Sequence, residues 1–529
     1  MSQTFRNSAL PLFVALLALV LYRSVSGFFS PLPLQVDEAQ YLGWSREPDF
    51  GYYSKPPMIA WALGMNRAAC ELAGLSALPW IEGCARLTQA FALGLAGLFA
   101  ALSSWALFHH KQAAFAAALL LITSPLFGFL SLFATTDAWL LMFWSIALWS
   151  FIRGIGPGLD SSLSTSAGAR ADQGHWAYWA YWAVCGVAVG LGLLSKYSMG
   201  VFVVSAVIVL LTLRRLFSWG PWLAAAVAFT VFMPNLIWNA AQGFPTLSHH
   251  LEISQVQSLT PTQWSGLGAV RSLAEFLAAQ LVLIGPFAVL SLLLWAPAYL
   301  RGQQTKDRVK LNLLWWFALP MLAIVLLQAG LSRAFANWAA PAYLALAILA
   351  GVLWTSSVAA AQRPSVGRRL LWLSAALGLV FSALMIHGLR YAYQENAALQ
   401  IRAVEKLRGW KEAAIWIQSK ARAHDAIVVA EDRRLLASLS GYLGLRAYAL
   451  DEQNRRNHHY SWFYHFSDQQ LGKDQRILVV LVGQADTQTL VNRLQAAGFR
   501  DIAAAEASDE PAIRVGDSGD KIQAFWAYR

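Results

Sequence analysis

Residues 35–60 read QVDEAQYLGWSREPDFGYYSKPPMIA. Upstream lies an apolar run over 9–29, and downstream Met58 to Leu63 is apolar again. Between them sit adjacent acids, Asp37 and Glu38, then Tyr52, Tyr53, Lys55 and the pair Pro56-Pro57. Ionisable groups held this close to a bilayer are costly to desolvate, so they mark a functional place or a paired one. This reading makes 35–60 a charged loop at the edge of a membrane-embedded catalyst.

Composition places that loop. The 529 residues are 57% hydrophobic and only 13% charged, where soluble domains carry about 25% charged residues. Repeated apolar runs of helical-span length then indicate an α-helical polytopic membrane protein. The 24 Trp and 16 Tyr suit long membrane–water boundaries. The net charge of +11 is explained by basic cytoplasmic loops. No basic stripe interleaves with aromatics, so nucleic acid is not an expected partner. Cys70, Cys84 and Cys185 show no metal-ligand spacing. Cys70 and Cys84 can pair only if both face an oxidising compartment.

Eleven spans are expected, at 9–29, 86–108, 113–133, 137–153, 176–195, 198–213, 219–238, 275–299, 311–329, 338–358 and 370–389. The first has no small-residue cleavage site and reads as an anchor. With the N-terminus cytoplasmic, Lys and Arg concentrate on the inner loops. The loops 30–85 and 239–274 and the whole of 391–529 then lie outside, leaving 1–390 as the membrane domain. Residues 58–78 read as a helix lying at the outer surface, and the Gly/Ser-rich 154–175 as a flexible inner loop. After 390, helical spacing over 402–422 and 487–497 alternates with short apolar runs, which predicts a small α/β domain. Its expected role is support or acceptor docking.

The chemistry-bearing residues gather on the outer side. Asp37 and Asp137 are candidate catalytic carboxylates over one cavity, one accepting a proton from the acceptor or orienting it. Glu38 is a third candidate, although an acid in a first helical turn has a structural reading too. Lys55, Lys196 and Arg333 are candidate cations for a phosphate leaving group. Tyr52, Tyr53, Tyr197, His249, His250, Asn337 and Trp338 are expected to contact substrate. The histidines lack metal-ligand spacing. No cofactor is required on this reading, and a cationic clamp would stand in for a divalent metal.

The runs DEAQY at 37–41 and GYYSKPP at 51–57 resemble bacterial members of the protein-mannosyltransferase-like superfamily. These are GT-C-type glycosyltransferases, grouped with glycosyltransferase family 39 and with lipid A aminoarabinose transferases. Thr136-Asp137, GLLSKY at 192–197, PNLIWN at 234–239 and NWAAPAY at 337–343 are similar to that group as well. The resemblance implies a GT-C fold in a bacterial inner membrane, with the C-terminal domain periplasmic. It implies a polyprenyl-phosphate sugar donor and an acceptor that is lipid A, another glycolipid or glycan, or a protein. Asp37 matches a catalytic or acceptor-binding aspartate, Asp137 the second loop acid, and Lys55 a lysine that contacts donor phosphate. Ser54 stands where the aminoarabinose enzyme has an acid, and Gln40 where it has a basic residue, so sugar and acceptor are not carried over. The mechanism expected is inverting transfer. A lipid-linked sugar flippase is the alternative, but the ionisable residues gather at one face rather than at mid-membrane depth.

Overall fold

The computed structural model describes the chain except residues 1–2, 157–174, 247, 250–265, 287–306, 333, 356–363, 395–400, 451–456, 467–474, 484–486, 497, 506–511 and 529. A helix stands at each of the eleven expected spans, from Gln3–Phe28 to Pro364–Gln394. Seven helices among the described residues are long and apolar enough to cross a membrane, and shorter apolar helices accompany them. The protein is an α-helical polytopic membrane protein. The expected inner loop 154–175 and the later part of the span 275–299 lie largely outside the described residues.

The chain divides into two compact units, 1–27 with 88–386, and 28–87 with 387–529. The described residues of the first form helices and no strand. Its interior is aromatic: Trp144, Phe151, Trp182, Phe202 and Phe317 are almost wholly buried. Phe202 meets Phe317 at 4.9 Å and Trp144 at 5.3 Å between ring centroids. Such pairs add to area burial through edge and offset geometry. Gly186 and Gly190 on the helix His175–Ser195 face Ala224, Val227, Ala228 and Val231 of Trp219–Ala241 so closely that a Cβ would collide. Small residues at this spacing let two membrane helices touch backbone to backbone.

The expected span 113–133 is two helices, Lys111–Thr123 and Pro125–Leu130. Pro125 has no N–H to continue the ladder, and the Ser124 hydroxyl accepts from Phe127 N at 3.2 Å to start the second helix. The buried last-turn carbonyl of Ile122 is met by Arg23, whose Nη1 donates to it at 2.5 Å. That contact explains a cation buried at 4% exposure in an apolar helix.

The second unit joins two distant segments. Residues 28–87 supply the helices Val36–Trp44, Met58–Leu72 and Ile81–Arg86, and Cys70 is disulfide-bonded to Cys84. Met58–Leu72 is helical as expected, and Gly74 follows it at positive φ. The described residues of 387–529 supply a sheet of six strands: β1 Ile427–Ala430, β2 Tyr448–Ala449, β3 Arg476–Val482, β4 Arg500–Ala504, β5 Arg514–Val515 and β6 Asp520–Tyr528. The order is β2-β1-β3-β6-β4, with β5 on β6. β1 is parallel to β2 and β3, while β6 is antiparallel to β3 and β4. The continuous apolar runs of β1 and β3 suit strands covered on both faces. Val429, Ile477, Val479, Leu481, Leu490, Leu494 and Phe499 form their core.

The helix Val36–Trp44 lies along Arg433–Leu443. A Cβ on Gly441 would run into the carbonyl of Ala39, and one on Gly43 into Ser440. Glycine is what the close crossing requires. Leu34 N donates to the buried Tyr442 hydroxyl at 2.7 Å, and Lys411 pairs with Glu82 at 2.7 Å.

Candidate active site

In the helical unit, three chain-distant elements meet at one carboxylate. Asp137 sits in the first turn of Thr136–Ile155, where backbone N–H groups favour a negative charge. Lys196 follows the helix His175–Ser195 in an extended conformation, and its Nζ donates to Asp137 Oδ1 at 2.8 Å. Asn337, in the turn Ala336–Ala339, donates from Nδ2 to Asp137 Oδ2 at 3.0 Å. Both oxygens of a nearly buried carboxylate are therefore engaged (side-chain exposure 7%, against 18% for the lysine). Charge-assisted bonds of this kind fix a geometry more firmly than neutral ones.

Next to Lys196, the Tyr197 hydroxyl donates to Asn235 Oδ1 at 2.9 Å and accepts from Asn239 Nδ2 at 3.2 Å. Asn235 and Asn239 are buried one turn apart on the helix that contains Pro234. The PNLIWN motif thus works as a hydrogen-bonding ladder under Tyr197. Trp338 is half-buried and lies 5.5 Å from the Phe335 ring. His249 is half-buried. Arg333 and His250 lie outside the described residues.

In the second unit, the adjacent acids part company. Glu38 is 1% exposed and accepts from Arg86 Nε at 2.9 Å and Nη2 at 2.8 Å. It also accepts from Gln35 N at 3.0 Å, closing a capping box. Arg86 also donates to the carbonyls of Leu32 and Pro33. The carboxylate that sequence reading held as a catalytic candidate is thus the centre of a buried structural pair. Asp37 is the opposite: its side chain is 54% exposed, and Arg433 Nη2 donates to its Oδ1 at 2.5 Å.

Tyr52 and Tyr53, expected at the substrate, are 4% and 2% exposed. The Tyr52 ring stacks on Trp44 at 4.4 Å, and its single hydroxyl proton is shared between the carbonyls of Trp44 and Glu47, each 3.1 Å away, while the oxygen accepts from Asp49 N. Burial pushes the phenol pKa well up, so it stays a neutral donor. Tyr53 lies against Trp462. Both rings shape the loop rather than reach out of it. Tyr52 N also donates to Lys55 O at 3.1 Å, a turn that fixes the backbone from which the half-buried Lys55 projects.

Arg433 was not among the residues singled out from sequence. Its helix carried signals: Asp432 caps it by accepting from Arg434 N and Leu435 N, and Gly444 closes it at φ +62. Leu435, Leu436, Leu439 and Tyr442 mark its buried side.

These features define a multi-helix membrane transferase scaffold, with an aspartate–lysine–asparagine cluster in one unit and a paired, accessible aspartate in the other. The chain belongs to the protein-mannosyltransferase-like superfamily of GT-C-type glycosyltransferases. The family described as dolichyl-phosphate-mannose-protein mannosyltransferase matches residues 54–238. Lipid A galacturonosyltransferase RgtD of Rhizobium johnstonii is 31% identical over 426 residues, covering 80% of each chain. Lipopolysaccharide core galacturonosyltransferase RgtA of the same organism is 25% identical over 333 residues, covering 60% of this chain and 59% of that one. The crystal structure of ArnT from Cupriavidus metallidurans bound to undecaprenyl phosphate superposes with a TM-score of 0.60 at 18% identity, covering 98% of each chain. The fold is therefore of the GT-C type throughout, sheet domain included.

Proposed function

We propose that this protein transfers a uronic acid from a polyprenyl-phosphate carrier to lipid A at the outer face of a bacterial inner membrane. The observation that carries the reading is the match to a lipid A galacturonosyltransferase over four fifths of both chains. An Asp37 that is exposed and an Asp137 that is held on both oxygens support it. The Cys70–Cys84 disulfide supports an outward position for 28–87, because such bonds persist in oxidising compartments.

In this mechanism an acceptor oxygen attacks the anomeric carbon from the side opposite the lipid phosphate. The new C–O bond forms as the C–O bond to phosphate breaks, which inverts the centre. Asp37 orients the acceptor and takes its proton. Lys55 stabilises the negative charge on the departing polyprenyl phosphate. Lys196 neutralises Asp137 through its ammonium, which donates to that carboxylate. Tyr197, Asn337 and Trp338 are taken as substrate contacts of the helical unit.

Mass spectrometry of lipid A from cells with and without the gene tests the reading. The expected difference is the mass of one hexuronic acid residue, the free acid less one water, lost again in Asp37→Asn. Identical lipid A in both strains overturns the acceptor assignment.

A further inference from the structure

Arg433 makes two contacts to the helix Val36–Trp44: Nη2 to Asp37 Oδ1 at 2.5 Å, and Nε to Gln40 Oε1 at 2.9 Å. Asp37 and Gln40 lie three residues apart on one helical face, so a single planar guanidinium spans both. Gln40 is 1% exposed and its carbonyl oxygen fixes the fork, while the Asp37 end stays accessible at 54%. The helix that bears Arg433 is itself locked in place. Asp432 caps it, Gly441 lies directly on the Ala39 carbonyl, and the Tyr442 hydroxyl accepts from Leu34 N. Arg433 thus arrives at Asp37 from a rigid element, through a contact that a mobile surface ion pair would not have.

We propose that Arg433 is a positioning residue for Asp37, so that the C-terminal domain sets the orientation of the acceptor-handling carboxylate. With one carboxylate oxygen bound to the guanidinium, the rotamer is fixed and the other oxygen is presented to the acceptor. Positioning of this kind counts because small misplacements at a reacting group are costly. The inference rests on the role proposed above for Asp37.

Membranes from cells expressing the full chain supply their own lipid-linked sugar and receive purified lipid A as acceptor. Initial transfer rates are read by mass spectrometry, and the thermal stability of each purified variant is measured beside them. Arg433→Ala should lower turnover of the folded protein at least about tenfold, with only a modest drop in unfolding temperature from the stranded Gln40 oxygen. Arg433→Lys should recover part of it, and added guanidinium chloride at millimolar concentration should restore Arg433→Ala but not Asp37→Asn. If Arg433→Ala does not accumulate, Arg433→Gln is put through the same series. An inactive Asp37→Asn beside an Arg433→Ala at the wild-type rate overturns this inference alone. So does a slow, destabilised Arg433→Ala that neither lysine nor guanidinium improves. An Asp37→Asn that transfers at the wild-type rate overturns the mechanism itself.

Discussion

The Lys196 ammonium is bound to Asp137, 59 residues earlier in the chain, at 2.8 Å. A cation read as a phosphate ligand is therefore the counter-ion of a carboxylate that lies almost wholly inside the helical unit. Lys196→Ala leaves that carboxylate with Asn337 alone, and Asp137→Asn leaves the lysine unpaired. Each should cost several-fold or more in turnover. The double variant should be less impaired than the product of the two, since both lose one interaction. Rates of lipid A modification in the four membranes give the coupling, and independent effects would separate the two residues.

Glu38 makes a contrasting case. Glu38→Gln strands a fully buried guanidinium, and removing one partner of a buried pair costs about 3–5 kcal/mol. The expected phenotype is poor accumulation and a lowered unfolding temperature in detergent, with residual activity in proportion to folded protein. Asp37→Asn should do the reverse, keeping the fold and losing the reaction. A stable but inactive Glu38→Gln would return Glu38 to the catalytic group.

Cys70 and Cys84 close a loop of 14 residues, a constraint worth about 3 kcal/mol. Cys70→Ser with Cys84→Ser should therefore unfold at lower temperature with its catalytic residues untouched. In intact cells with a permeable outer membrane, a membrane-impermeant maleimide should label these thiols only after reduction. Labelling without reductant would show that the bond is absent.

His459 supplies a pH dependence. It is buried against Trp44, Tyr52, Tyr460, Phe463 and Tyr464. Burial, then the charges of His458 and Arg433, lower its pKa from 6.5 to about 3. Above pH 6.5 neither folded nor unfolded chain protonates it. Below that, the unfolded chain takes up a proton that the folded one refuses, so stability falls by up to about 1.4 kcal/mol per pH unit. His459→Gln should flatten this slope between pH 6.5 and 4, followed by tryptophan fluorescence. An equal slope in both proteins would place the titration elsewhere.

Much of the membrane architecture was legible, because an apolar run of span length has few other uses. The helix break at Pro125 is legible from the proline itself, although hydropathy runs through it unbroken. Residue pairing was not legible. Asp137 and Lys196 both stood out, yet nothing local says that one neutralises the other. Glu38 and Arg86 are 48 positions apart and find each other only when the chain is folded. Strand β4, read as no element, begins Arg500-Asp501, and its residues are largely exposed at the margin of the sheet. An edge strand needs no apolar alternation to form. Arg433 was hidden by the same blindness to distance, since its meaning comes from a helix nearly four hundred residues upstream.

The second unit is assembled from residues 28–87 and 387–529. During synthesis its first sixty residues leave the ribosome long before the segment that completes them. Gly43, Ala39 and Leu34 must wait for Gly441 and Tyr442, so this part of the fold cannot mature while translation is under way. A chain that stops ahead of residue 387 would insert its helices and still present an unfinished, protease-sensitive loop.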